Sequence, residues 1–136
     1  MRLSKSRAVV HGGLALLFFV FAGLQLNDIN PAIYHRPSVI DAAMWSAFYA
    51  LIGGLMIVSI WKRIPIWILL IAALLCLVEM VVTGPGLVQN LRGEDDFTMT
   101  GASMNAEDPR VELTREFFGA VIALAGVGFL WWSRKE

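Results

Sequence analysis

Four stretches of about twenty nearly uninterrupted apolar residues decide what this chain can fold into. A hydrocarbon core about 30 Å thick is crossed by roughly 20 helical residues rising 1.5 Å each. Windows of that length fall at about 8–26, 42–61, 64–83 and 112–132. The first, AVVHGGLALLFFVFAGLQL, is broken only by His11 and Gln25, and the third opens near Pro65, whose fixed φ and missing N–H suit the first turn of a helix. Runs this long and this continuously apolar exclude barrel strands, which alternate over about ten residues. Composition agrees: 57% of the 136 residues are hydrophobic and only 16% charged, against roughly 25% charged in a soluble domain. A soluble core of this size could not hide so much apolar surface. The expected fold is therefore an all-α polytopic membrane protein, a single membrane domain over 1–136, with four helices in an up-down bundle.

Lys and Arg near the span ends set the expected orientation, because cytoplasmic segments retain them. Arg2, Lys5 and Arg7 precede span one, Lys62 and Arg63 separate spans two and three, and Arg134 and Lys135 follow span four. The other side holds Arg36, Arg92, Arg110 and Arg115 together with nearly all the acids. Both termini are expected in the cytoplasm, with external loops at about 27–41 and 84–111. Trp61, Trp67, Trp131 and Trp132 fall at the expected inner interface, where an indole prefers to lie. The basic start and apolar first run also describe a signal peptide, but the run exceeds the usual 7–15 residues of such a segment, so it is expected to stay as an anchor. The charge pattern and the lack of a transit-like start fit a bacterial inner membrane.

Several function classes drop out. Lys and Arg number 11 and Asp and Glu number 11, for a formal net charge of +0, so no basic footprint for nucleic acid exists. One cysteine, Cys76, rules out an internal disulfide, a CxxC redox pair and a thiolate zinc site. His11 and His35 belong to opposite membrane faces and cannot jointly clamp a haem, and CxxCH is absent. His35 with Met99 and Met104 is a weak external copper set. No Ser-His-Asp set, phosphate-binding glycine loop or paired-histidine motif is present. Neither an enzyme nor a cofactor is expected.

Lipid gives little hydrophobic drive between helices, so small residues and hydrogen bonds must hold them. Span two offers Ser46, Ala50 and Gly54, and span four offers Gly119, Ala123 and Gly126, as stripes that let neighbouring backbones approach. The segment after span three carries Gly-Pro-Gly, the acidic run Glu94-Asp95-Asp96 and a polar stretch, the composition of a solvated connector.

The residues with most chemistry converge on the outer side. Span one ends with Gln25, Asn27 and Asp28; span three carries Glu79 shortly before its outer end; span four opens with Glu112, Arg115 and Glu116 on one helical face. An acid inside a span is expensive unless paired, hydrated or protonated, and marks a candidate site. Arg115 is the expected cationic partner, because a guanidinium can fork to a carboxylate. The cluster reads structurally as caps, dipole partners and inter-helix glue. It reads functionally as an outward acidic pocket.

Two motifs there resemble the transmembrane protein 220 family: Leu24-Gln25-Leu26-Asn27-Asp28-Ile29-Asn30-Pro31, and Glu112-Leu113-Thr114-Arg115-Glu116-Phe117-Phe118-Gly119. That family usually has Pro and Asp where Ile29 and Asn30 stand, and Trp and Tyr sooner after the motif than Trp45 and Tyr49 follow here. The resemblance implies a small helical membrane protein and no particular reaction.

Taken together, these features lead to an expected non-enzymatic accessory or binding protein. Its external polar cluster would engage a cation, a small polar ligand or a partner subunit, and the alternative is a proton-coupled carrier with Glu79 as the titrating group. Expected partners are the lipid bilayer and a partner membrane protein or a second copy of the chain.

Overall fold

In the computed structural model, residues 3–26, 39–92 and 110–134 are described, and helices account for nearly all of them. The helices are α1 (Lys5–Gln25), α2 (Val39–Ser59), α3 (Ile66–Arg92) and α4 (Arg110–Ser133). Each contains a stretch long and apolar enough to cross a membrane, and the described residues include no strand. A helix closes all its backbone hydrogen bonds within one segment, which a lipid interior demands. The chain is thus an all-α four-helix membrane protein.

The outside of the bundle explains where it lives. Val81 is 76% exposed, Leu16 66% and Leu74 60%, while Phe18, Ile52, Met56, Leu69 and Leu130 are fully buried. A helix packed on a soluble core turns a polar face outward. These helices are apolar on both faces, so the solvent around them is a lipid bilayer.

Helices α1 and α2 pack along each other, α3 and α4 do the same, and contacts between α2 and α4 join the two hairpins. Both hairpins are antiparallel. Leu3 N donates to Ile60 O (3.3 Å), placing the start of α1 beside the end of α2. Leu113, early in α4, lies against Gly86, late in α3. One buried cluster draws on all four helices, from Ala15 and Phe18 through Trp45, Tyr49 and Met56 to Ala72, Cys76, Ala123 and Leu130. Cys76 is a packing residue within it, fully buried.

Small residues set how closely the helices approach. A Cβ on Gly119 would overlap the Tyr49 hydroxyl, so α4 presents bare backbone where the buried Tyr49 ring of α2 needs room. Ala123 is fully buried and Gly126 meets Phe18 and Met56, so the expected α4 stripe is a packing surface. The α2 stripe differs by one position. Gly54 has open space around it, whereas Gly53 lies against Phe19 and the Ala15 carbonyl of α1. Ser46, Ala50 and Gly54 share a face by spacing, but the aromatic ring of Phe19 needs its gap one residue earlier.

Helix α3 also runs further than the sequence indicates, through Gly84-Pro85-Gly86 to Arg92 instead of stopping near Thr83, so the expected loop at 84–111 begins as helix. Proline inside a helix removes one backbone bond and clashes with the preceding turn. Here tertiary packing offsets that: Gly86 seats Leu113 where a Cβ would collide, and Gly84 meets the Phe117 ring. The Gly-Pro-Gly turn signal is overridden because the glycines admit α4. Helices α1, α2 and α4 begin at Lys5, Val39 and Arg110, before the expected span starts at 8, 42 and 112, while the apolar span within α4 begins at Leu113, close to the expected 112. Polar first turns reach beyond the hydrocarbon without ending the helix.

Replacing Gly119 with Leu should separate the hairpins and lower the detergent-solubilised melting temperature, because overpacking a tight contact costs about 1–3 kcal/mol or more. Gly54→Leu should leave the melt within a degree or two of wild type, since nothing lies within 4 Å of its Cβ position. Circular dichroism melts of both variants check this pair. Equal destabilisation by the two would contradict the packing.

Candidate functional site

Polar side chains occur at the two ends of the bundle, and the acidic end is where the sequence expects a site. The start of α2, the late part of α3 and the start of α4 all lie there. Gln25 is the last residue of α1 and is half-buried. Asn27 and Asp28 lie outside the described residues. Glu112 sits in the first turn of α4, and its side chain is outside the described set.

Glu79 occupies α3 within the apolar span and is partly buried. One turn later, Thr83 is 1% exposed and its Oγ1 donates to the Glu79 carbonyl (2.7 Å), which removes the hydroxyl from the apolar surroundings. The Glu79 carboxyl feels the charge of Asp41, in the first turn of α2. This approach of two acids was not foreseen in the sequence. The span was expected from residue 42, which left Asp41 in a loop; α2 begins at Val39 and makes Asp41 a first-turn acid, where a helix dipole favours negative charge. An acid just before an apolar run is the signal that could have extended the helix.

On α4, Arg115 is exposed and Glu116 half-buried, and each is engaged in an electrostatic or hydrogen-bonded interaction. Between Leu113 and Arg115, Thr114 is fully buried and also partnered. Together with Thr83 it puts hydroxyls in the interior at this end, which hydropathy alone did not single out. Among the described residues no group of three or more His, Cys, Asp or Glu gathers as metal ligands.

The basic end contains an arrangement the sequence did not indicate. His11 is 1% exposed, with its ring 5.0 Å from that of Phe129. Ser59 Oγ donates to the Met56 carbonyl (2.6 Å) and lies 2.5 Å from His11 Nδ1. A hydroxyl has one proton. With that proton on Met56, His11 must donate from Nδ1, and its Nε2 is left as an acceptor, buried and without a partner. The bond spans α1 and α2 and explains how a histidine is tolerated in an apolar run. Cavities of about 260 Å³ and 230 Å³ open at this end.

The described part of the first family motif, Leu24 to Leu26, closes α1, and the second motif opens α4. No curated protein and no solved structure matches the chain. The model of the family described as transmembrane family 220, helix, matches residues 17–132, from the middle of α1 almost to the end of α4, and the chain belongs to that family.

Proposed function

We propose that this member of transmembrane family 220 is a non-enzymatic accessory or binding protein of the membrane whose acidic end engages a small cation or amine. The observation that supports this reading is that Glu79 and Asp41, acids from different hairpins inside or at the edge of apolar spans, belong to the same end of the bundle within electrostatic reach of each other. Two carboxylates brought into each other's field repel, and the repulsion grows as water is removed. A cation between them relieves it. Gln25, Asn27, Asp28, Glu112, Arg115 and Glu116 complete the candidate set at that end, with Arg115 balancing part of the negative charge. A partner membrane subunit carrying a cationic side chain meets the same chemistry as a free amine.

The topology proposed with it puts the acidic end outside and both termini in the cytoplasm of a bacterial inner membrane. Arg7, Lys62, Arg63 and Arg134 all lie at one end, which supports that orientation. A second reading, a proton-coupled carrier, draws on Glu79 being an ionisable group within a span. Four helices leave little room for moving repeats unless the chain oligomerises.

Two experiments test these proposals. Ethylammonium titrated into the detergent-purified protein should bind to wild type and at least tenfold more weakly to Glu79→Gln and to Asp41→Asn, a loss of about 1.4 kcal/mol, with unchanged helicity. Equal binding by all three proteins would reject the cation site, and proton-linked uptake into vesicles that Glu79→Gln abolishes would favour the carrier. For topology, single cysteines at Ser4→Cys or Ser103→Cys in a Cys76→Ala background should be labelled by an impermeant maleimide on intact cells only at position 103. Labelling at position 4 would invert the orientation.

A further inference from the structure

The larger cavity, about 260 Å³, lies between the start of α1, the α2–α3 turn and the end of α4, and four cations line it: Arg7, Lys62, Arg63 and Arg134. Every Asp and Glu among the described residues, namely Asp41, Glu79, Glu112 and Glu116, belongs to the opposite end. Arg7 is already engaged in an interaction; like charges gathered around one space repel unless an anion joins them. Two of them are tied together, since Arg63 Nη2 donates to the Arg134 carbonyl (2.9 Å). Arg134 Nε is buried and has no acceptor. A guanidinium N–H without an acceptor is costly in a poorly hydrated site, and the same side chain is one of those lining a cavity large enough to admit an anion.

The serines narrow what the guest must be. Ser59 and Ser133 direct their hydroxyl protons to the Met56 and Leu130 carbonyls, so beside the Ser4 hydroxyl at the rim, which lies 3.3 Å from Ser6 Oγ, the donors left for a guest are cationic N–H groups. Such donors match a phosphate, which guanidinium binds in a fork. The volume is below the roughly 300–1,000 Å³ of a pocket that encloses a drug-sized ligand. It suits a headgroup with the remainder of the ligand outside.

The remainder has a place to go. The second cavity, about 230 Å³, shares Arg7 and Ser133 with the first and is walled by Val10, His11, Phe129 and Trp132. It extends from the basic rim toward the apolar middle of the bundle, and beyond it the surface is lipid-facing, with Val9 74% and Val10 49% exposed. Trp61, Trp67 and Trp132 are 52%, 60% and 55% exposed at the same end, which sets the cavity at headgroup level, where indoles gather. Basic pockets between helices at this level take anionic lipid headgroups.

We propose that the basic end is a binding site for one anionic phospholipid, its phosphate among Arg7, Lys62, Arg63 and Arg134 and an acyl chain against Val10, Phe129 and Trp132. The site is independent of the acidic end and of the function proposed for it.

Native mass spectrometry of the full chain in detergent tests this with phosphatidylglycerol and phosphatidylcholine of identical acyl chains, and with inorganic phosphate as competitor. Wild type should retain one phosphatidylglycerol at least tenfold more tightly than phosphatidylcholine, and the preference should shrink as salt rises. Lys62→Gln with Arg63→Gln should erase most of that preference. Lys62→Gln alone, an exposed position in the α2–α3 turn, should weaken it about threefold even if the double variant folds poorly. Equal retention of the two lipids by wild type, or an undiminished preference in Lys62→Gln and the double variant, would overturn the site. Displacement of the lipid by millimolar inorganic phosphate would overturn the lipid as its occupant in favour of a soluble phosphate.

Discussion

Lipid cannot hydrogen-bond a stray polar group, and the rest of this structure follows from that constraint. Each helix closes its own backbone ladder, and the hydroxyls in or near the spans turn back onto it. Thr83 donates to the carbonyl of Glu79, Ser59 to that of Met56 and Ser133 to that of Leu130. All three bonds reach three or four residues back along the same helix, the local alternative open to Ser and Thr. A hydroxyl satisfied in this way can sit against apolar neighbours without a partner from another helix. His11 has no such local option and takes its hydrogen bond from α2 through Ser59, so a polar residue becomes a link between helices.

Charge obeys the same constraint over a longer distance. The described acids occupy one end of the bundle and four cations encircle a cavity at the other. A net charge of +0 therefore conceals a strong dipolar arrangement. Neither end is neutralised by the other, because the thickness of a bilayer separates them and the Debye length in physiological salt is only about 8 Å. Counter-charges must lie nearby, and at the acidic end Arg92, Arg110 and Arg115 share the side of the acids.

Much of the fold was legible because apolar length is decisive in a membrane: four runs and four helices follow from counting residues. What the sequence concealed depends on contacts between distant residues. Gly-Pro-Gly reads as a turn, yet α3 continues through Pro85 because Gly86 accepts Leu113 from α4. Gly53 and Gly54 are indistinguishable in sequence, and only the position of the Phe19 ring selects the first. Asp41 looked like a loop residue, and its effect on Glu79 requires knowing that α2 starts early and that the two hairpins meet. The basic cavity was hidden for another reason. Lys and Arg at span ends have a sufficient explanation in topology, which masks any binding role they also carry.

The two ends share one further property, which comes from how the hairpins dock. Within each hairpin the helices pack along their length, whereas between hairpins α2 meets α4, with Tyr49 on Gly119 and Met56 beside Gly126. Asp41 comes from the first hairpin and Glu79 from the second. At the other end Arg7 and Ser59 belong to the first, Arg134 to the second, and Lys62 and Arg63 to the turn between them. Both polar clusters are therefore interfacial, and neither exists in an isolated hairpin. Burial of apolar surface cannot hold the hairpins together in lipid, so the contact depends on close approach at a few small residues. Those glycines, Gly119 one turn from Arg115 and Glu116 and Gly126 deeper in the span, let the hairpins dock so that residues of both meet at each end of the bundle.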